Sequence, residues 1–152
     1  MRLNYGLQYT MQRYDGGSFS AVIGRSEHLS GENPFAPGTG LETDASDYVA
    51  GLYYSPNSNT RFVAQSRFDS ETFDLVRQDL SASASYGPFA GTLIYAFDRS
   101  TDQVGDIRQD QEIQGGLSVR LAESWTAFGT LRYDIDGSQF ISDSLGLKYA
   151  DE

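Results

Sequence analysis

Cysteine is absent from this 152-residue sequence, histidine and tryptophan occur once each, and there are four prolines. Without cysteine there is neither a disulfide scaffold nor a thiolate zinc site, and the redox compartment is unreadable from cysteine usage. A single histidine leaves a transition-metal centre short of ligands. Basic side chains are scarce: 11 Lys and Arg face 21 Asp and Glu, for a formal charge of −10. That balance excludes nucleic acid as a partner, because phosphate binding needs a basic surface. No apolar run approaches the roughly 20 residues of a membrane helix. The opening Met1-Arg2-Leu3-Asn4-Tyr5 contains no apolar signal segment.

What is plentiful is glycine, with 16 residues, and aromatic rings, with 10 Tyr and 9 Phe. Rings at that density argue against disorder. An apolar share of 39% is nevertheless low for a soluble core. At this length the chain is at most one compact domain, or one piece of a larger one.

The hydrophobic period is two almost throughout. From Leu3 to Gln12, odd positions are large and apolar and even positions small or polar, which predicts a strand with one apolar face. Asp15-Gly16-Gly17-Ser18 supplies a hairpin turn. Further strands are expected at Phe19 to about Leu29, Tyr48 to Tyr54, Thr60 to Phe68, Val76 to Tyr86, Phe89 to Asp98, Ile113 to Leu121, Trp125 to Ile135 and Phe140 to Tyr149. Residues 31–46 hold Pro34, Pro37, Gly38 and Gly40 without any period, and 99–111 are polar and acidic; both stretches read as long loops. About nine strands therefore follow one another as a meander, with short turns near Asp15, Pro56, Gly87 and Glu123 alternating with longer connections. Outer-membrane barrels alternate in this way, with short periplasmic turns and longer external loops.

The two faces differ in kind. One carries Leu, Ala, Gly, Val and Tyr, with Tyr86, Phe89, Tyr95, Phe97, Trp125 and Tyr133 near strand ends. The other is built from small polar residues such as Ser81, Ser83 and Ser85, with Gln65, Arg67, Arg77, Arg120 and Arg132 as lumen-facing candidates. Rings bracketing an apolar band suit a lipid interface. Acidic residues gather toward the long-loop end, where they form a solvated rim or bind divalent cations. The bland reading of the arginines is pairing with Asp79, Asp98 and Asp134 to satisfy the interior.

No catalytic constellation is present in the sequence. His28 lies at a strand end, and no Gly-x-Ser-x-Gly elbow accompanies it. Asp134-Ile135-Asp136-Gly137 lacks the downstream ligands of a calcium loop and reads as a turn. The sequence predicts no catalytic residue, no metal and no cofactor.

The most distinctive stretch runs from Ser26 and Leu29 through Gly31-Glu32-Asn33-Pro34-Phe35 and Gly40-Leu41-Glu42 to Ser46-Asp47-Tyr48-Val49. It resembles a segment in the barrel domain of the LptD (OstA-like) family of lipopolysaccharide-assembly proteins, of α-proteobacterial type. The likeness continues through Arg67-Phe68-Asp69, Thr72-Phe73 and Trp125 with Phe128-Gly129, and it covers nearly the whole chain. The resemblance implies a late portion of a very large outer-membrane barrel in a Gram-negative bacterium. It also implies lipopolysaccharide and outer-membrane lipid as partners, together with a plug lipoprotein and periplasmic bridge proteins. Absent are the family's periplasmic jellyroll, its signal peptide, its cysteines and the terminal strands of its seam.

The expected fold is all-β, an antiparallel up-and-down transmembrane β-barrel of about nine strands. It is a single unit over 1–152 and a segment of a larger barrel. Asn33, Pro34, Phe35, Glu42 and Asp47 mark the loop that folds over or into the pore. Two alternatives stay open: a complete small outer-membrane barrel serving as pore or adhesin, and a soluble lipocalin-like ligand-binding barrel with its large side chains inside.

Overall fold

The computed structural model describes residues 1–36, 38–101 and 107–150. Nine strands are present: β1 (Arg2–Gln12), β2 (Ser18–His28), β3 (Tyr48–Asn57), β4 (Thr60–Phe68), β5 (Leu75–Tyr86), β6 (Phe89–Thr101), β7 (Ile107–Arg120), β8 (Trp125–Asp134) and β9 (Gln139–Tyr149). They form one antiparallel sheet in sequential order, and among the described residues β1 does not pair with β9. The sheet is open.

Register follows the period-two pattern. Leu7 sits opposite Ile23, Ala21 opposite Leu52, Ala64 opposite Leu80, Ala82 opposite Leu93 and Gly115 opposite Leu131. Since directly paired residues share a face, one continuous apolar surface crosses all nine strands. Nothing packs on it. Among the described residues no hydrophobic side chain is buried, and Leu93 is 49% exposed and Leu117 57%. The lipocalin-like alternative requires these side chains to point into a closed interior, and that arrangement is not observed.

Rings collect at the two margins of the apolar face. Tyr9 meets Phe19, Tyr54 stacks on Phe62 and Trp125 tilts against Tyr149 at the short-turn margin, with centroids 5.1–6.4 Å apart. Tyr48, Phe68 and Phe73 cluster at the other margin, as do Tyr133 and Phe140. Phe128, which broke the alternation in the sequence, lies on the polar face. Its ring covers Gly146 there, filling the space that a side chain at 146 would take.

Two boundaries differ from the sequence reading. β3 extends through Pro56 to Asn57, leaving only residues 58–59 as the turn. More substantially, 99–111 is not a long loop: β6 and β7 pair as far out as Thr101 and Ile107, and the remaining five positions, with Asp102 and Asp106, lie outside the described residues. The polar side chains that concealed these strand ends, including Asp110 and Glu112, are ladder residues. Long pairing of this kind is a backbone property, and acidic side chains permit it where one face is wet.

Close strand approach depends on glycine at one register position. Gly6 sits opposite Gly24, and a Cβ at Gly6 would lie 2.6 Å from the Ile23 carbonyl oxygen. We expect Gly6→Ala to push β1 away from β2 and to cost about 1–3 kcal/mol, the usual range for overpacking, read as a lowered urea midpoint with unchanged m-value.

Candidate functional site

The polar face carries the chemistry, and its most ordered feature is the β2–β3 connection. Residues 44–46 leave the loop by bridging the end of β2: Glu27 pairs with Ala45, His28 N–H donates to the Asp44 carbonyl at 2.6 Å, and Ser46 N–H donates to the Ser26 carbonyl at 2.7 Å. Ser46 returns its hydroxyl as acceptor for Ser26 N–H at 2.7 Å, and both serines are buried. This anchor turns the preceding residues back across the sheet rather than out into solvent.

Two arginines then hold the loop down. Arg2, from β1, donates to Asn33 Oδ1 and to the Leu41 and Thr43 carbonyls, and its guanidinium stacks 4.9 Å from the centre of the Phe35 ring. Arg67, from β4, donates to the Thr39 carbonyl at 2.8 Å and to that of Gly38 at 3.3 Å, and lies 3.5 Å from Asp47. Both arginines project from the polar face, so the loop spans β2 and β3 on that side. Guanidinium suits this task because its fixed fork of donors satisfies several backbone carbonyls at once.

Inside the loop the predicted residues take distinct parts. Asn33 Nδ2 donates to the Leu41 and Glu42 carbonyls at 3.0 and 2.8 Å, closing the loop on itself. Pro34, exposed, follows it. Glu42 accepts from Gly38 N–H and from the Thr39 hydroxyl. Burial pushes its carboxyl upward, but the backbone donors outweigh this and hold its pKa below the ordinary value. Asp47 is the reverse: desolvation raises its pKa despite the opposing pull of Arg67. Gly40 has φ +73°, and a Cβ there would lie 2.5 Å from Asp47 Oδ2. Glycine is therefore required twice over at that position.

The remaining predicted polar-face residues are mostly paired. Gln65 donates to the Tyr53 hydroxyl at 2.8 Å. Arg77 reaches Asp79 at 2.8 Å and Asp98 at 3.5 Å. Arg132 forms its ion pair with Glu112 rather than with Asp134, which instead caps the following turn through Gly137 N–H at 2.8 Å. Arg120 has no carboxylate partner among the described residues. Beside the loop lies a 350 Å³ depression lined by Val22, Val49, Gly51, Tyr53, Gln65 and Arg67. Toward the short turns a larger one, about 710 Å³, is walled by small hydroxyl side chains such as Ser55, Ser83, Thr92 and Thr130, with Arg61 its cation. Val22 and Val49 were not singled out by the alternation, because they are apolar residues standing on the polar face. No metal-ligating cluster occurs among the described residues, and the His28 imidazole Nδ1 stands 3.7 Å from the Asp44 carboxylate.

Removing the Arg67 clamp is expected to free the loop tip. Arg67→Ala and Gly40→Ala should each speed protease cleavage between residues 36 and 43 by about tenfold, as expected when charge-assisted bonds worth about 1.5–3 kcal/mol are lost. Arg61→Ala, outside the clamp, should leave the cleavage rate unchanged. Equal cleavage of all three proteins would show that the loop is held by something else.

Comparison with known proteins supplies the remaining evidence. The family described as LPS transport system D, LptD, matches residues 1–102, about two thirds of the chain and the part that contains the strapped loop. No curated protein and no solved structure matches. On that match, the chain belongs to the LptD family of lipopolysaccharide-transport proteins.

Proposed function

We propose that this chain is a segment of the membrane-spanning wall of an outer-membrane lipopolysaccharide translocon, a late portion of an LptD barrel of α-proteobacterial type. In this reading it moves an amphipathic glycolipid and performs no catalysis. The observation that carries the reading is the pair of faces. An exposed apolar surface is bracketed by rings across nine strands, backed by a polar surface on which Arg67, Arg77 and Arg132 are paired with acids and whose outer end is strapped by a loop. Water on both sides would leave the first surface unexplained. Hydrocarbon on one side and an aqueous lumen on the other accounts for both.

Dimensions support it. Strands of 9–14 residues suit a tilted span, for which about 9–11 residues suffice. The short-turn end then faces the periplasm, and the loops after β2 and β4 face outside. A plug lipoprotein and the periplasmic bridge that delivers lipid are the partners this family membership brings. The hydroxyl-lined depression at the periplasmic end fits a polar headgroup in passage.

A complete small pore or adhesin is disfavoured by parity. In a nine-strand meander β1 and β9 run in the same direction. Closing the sheet on itself would therefore require a parallel seam in an otherwise antiparallel wall, whereas bacterial outer-membrane barrels are antiparallel with even strand number.

Two experiments test these statements. Leu93→Arg, on the apolar face, is expected to cost about 2–4 kcal/mol and to abolish urea-resistant membrane association, while the neighbouring Thr92→Arg, on the polar face, is tolerated. Indifference to Leu93→Arg sinks the membrane reading. For closure, cysteines at Gln8 and Ser144, on β1 and β9, should form no intrachain disulfide under mild oxidation; efficient crosslinking would establish the small barrel instead.

A further inference from the structure

Two arginines stand on the apolar face at its outer margin, and they differ in their partners. Arg25 lies in register with Tyr5, beside the aliphatic row of Ile23 and Ala21, on the surface assigned here to lipid. Its position is the outer margin, next to the loop end. The other arginine on that margin of the same face, Arg99, is 3.4 Å from Asp74. Arg25 has no carboxylate partner among the described residues. Its guanidinium lies 4.3 Å over the Tyr48 ring and donates to the Tyr48 hydroxyl, while its Nε, shielded from water, has no acceptor among the described residues. Glu27, two residues on along the same face, makes no salt bridge to it; that carboxylate accepts from the Tyr5 hydroxyl at 2.8 Å. A cation at a lipid-facing site, held against a ring and short of an acceptor, is costly unless an anion completes it.

Phe73 gives the second observation. It adopts φ +63°, a left-handed conformation that a bulky side chain rarely takes. This turns its ring onto Phe68 (5.2 Å, nearly parallel) and toward Tyr48 (5.4 Å), yet leaves it 59% exposed. The strained turn thereby sets an exposed ring, a platform, against Tyr48, the same residue whose ring carries the Arg25 guanidinium. The turn is fixed from below by Asp69, whose carboxylate accepts from Glu71 and Thr72 N–H.

We propose that Arg25, Tyr48 and Phe73 form an external binding site for the phosphorylated sugar headgroup of an outer-leaflet glycolipid. The guanidinium pairs with a phosphate and the exposed ring packs against a sugar face. The combination selects a phosphosugar over a simple phospholipid, since phosphate alone would use the cation and leave the platform idle. The site lies outside the lumen and holds lipid that has already reached the outer leaflet. It rests on the membrane-spanning reading above.

The test uses the full chain, extracted from membranes in mild detergent and titrated separately with diphosphorylated lipid A, phosphatidylglycerol and inorganic phosphate, with bound molecules counted by native mass spectrometry. Wild type is expected to retain lipid A in preference to the other two. Arg25→Ala and Phe73→Ala should each lower retention by about fivefold or more, and Arg25→Lys by less, because a point charge keeps attraction but loses the planar fork. Gel mobility with and without heating verifies that each variant is folded; should Arg25→Ala fail this, Arg25→Lys and Phe73→Ala carry the comparison. Unchanged lipid A retention in folded variants overturns the site. Equal retention of phosphatidylglycerol overturns the assignment to a phosphosugar, and saturation by inorganic phosphate alone reduces the site to a free-anion pocket and overturns it as well. If wild type leaves the membrane in urea, the spanning reading itself has failed, an outcome distinct from failure of the Arg25 site.

Discussion

The constraint on which the rest depends is that a β-strand offers its two faces to two environments, while its backbone can be satisfied only by neighbouring strands. In this chain the ladder is continuous from β1 to β9, and the alternation is kept in register across eight strand pairs. A slip by one residue at any pair would carry the apolar set to the polar side. The absence of a buried core is therefore a consequence of the architecture. Stability comes from the ladder and from ring pairs at the margins, with lipid taking the place of a second layer in the membrane-spanning reading proposed above.

The strapped loop shows how a polar face spends its charges. Arg2 and Arg67 satisfy backbone carbonyls of a segment that would otherwise expose them, and Asp47 supplies the counter-charge at the far end. Alongside on the same face, with Arg77 directly opposite Arg67, Arg77 and Arg132 are closed off by Asp79, Asp98 and Glu112. The net result is a gradient along the face: paired charge and a folded loop outside, small hydroxyls and glycine inside. In the proposed reading, a glycolipid headgroup entering from the short-turn end meets a few cations, Arg61, Arg120 and Lys148, and no carboxylate ladder until it nears the loop. This is a low-friction wall rather than a tight binding site.

Legibility in the sequence tracked the strength of the apolar period. β1 and β5 alternate cleanly, β8 does so apart from Phe128 and β9 apart from Asp143, and their positions followed from the pattern, as did the hairpins at Asp15 and Gly87. The outer ends of β6 and β7 did not, because Arg99, Asp110 and Gln111 are polar on either face and leave the period nothing to register. The loop was recognisable as a unit from its prolines and glycines, and Asn33, Glu42 and Asp47 lie in the connection between β2 and β3. Its docking onto Arg2 and Arg67 was not recognisable, since each bond joins residues 28 to 41 positions apart and ends on a carbonyl, which every residue possesses. Arg25 escaped notice for a related reason: its significance lies in the face it occupies.

The two open edges are not equivalent, and the difference bears on what each is for. Unguarded edges invite strand addition, and proteins blunt them with charge, proline or bulges. From Leu3 to Gln12, β1 has none of these: every residue is neutral and no proline interrupts it. β9 carries Asp143 opposite Leu131 on the apolar face and Lys148 near its end, and its pairing with β8 is bulged beside Arg132. In the membrane-spanning reading, where an unpaired backbone group costs several kcal/mol, β1 is shaped to receive a neighbour along the neutral residues that follow Arg2. Because β1 and β9 run the same way, that neighbour cannot be β9 in an antiparallel wall, nor the β9 of a second copy standing in the same orientation. That reading requires an oppositely directed strand, and the alternation on β1 specifies its character: apolar where Leu3, Tyr5, Leu7, Tyr9 and Met11 form the apolar face, small and polar behind.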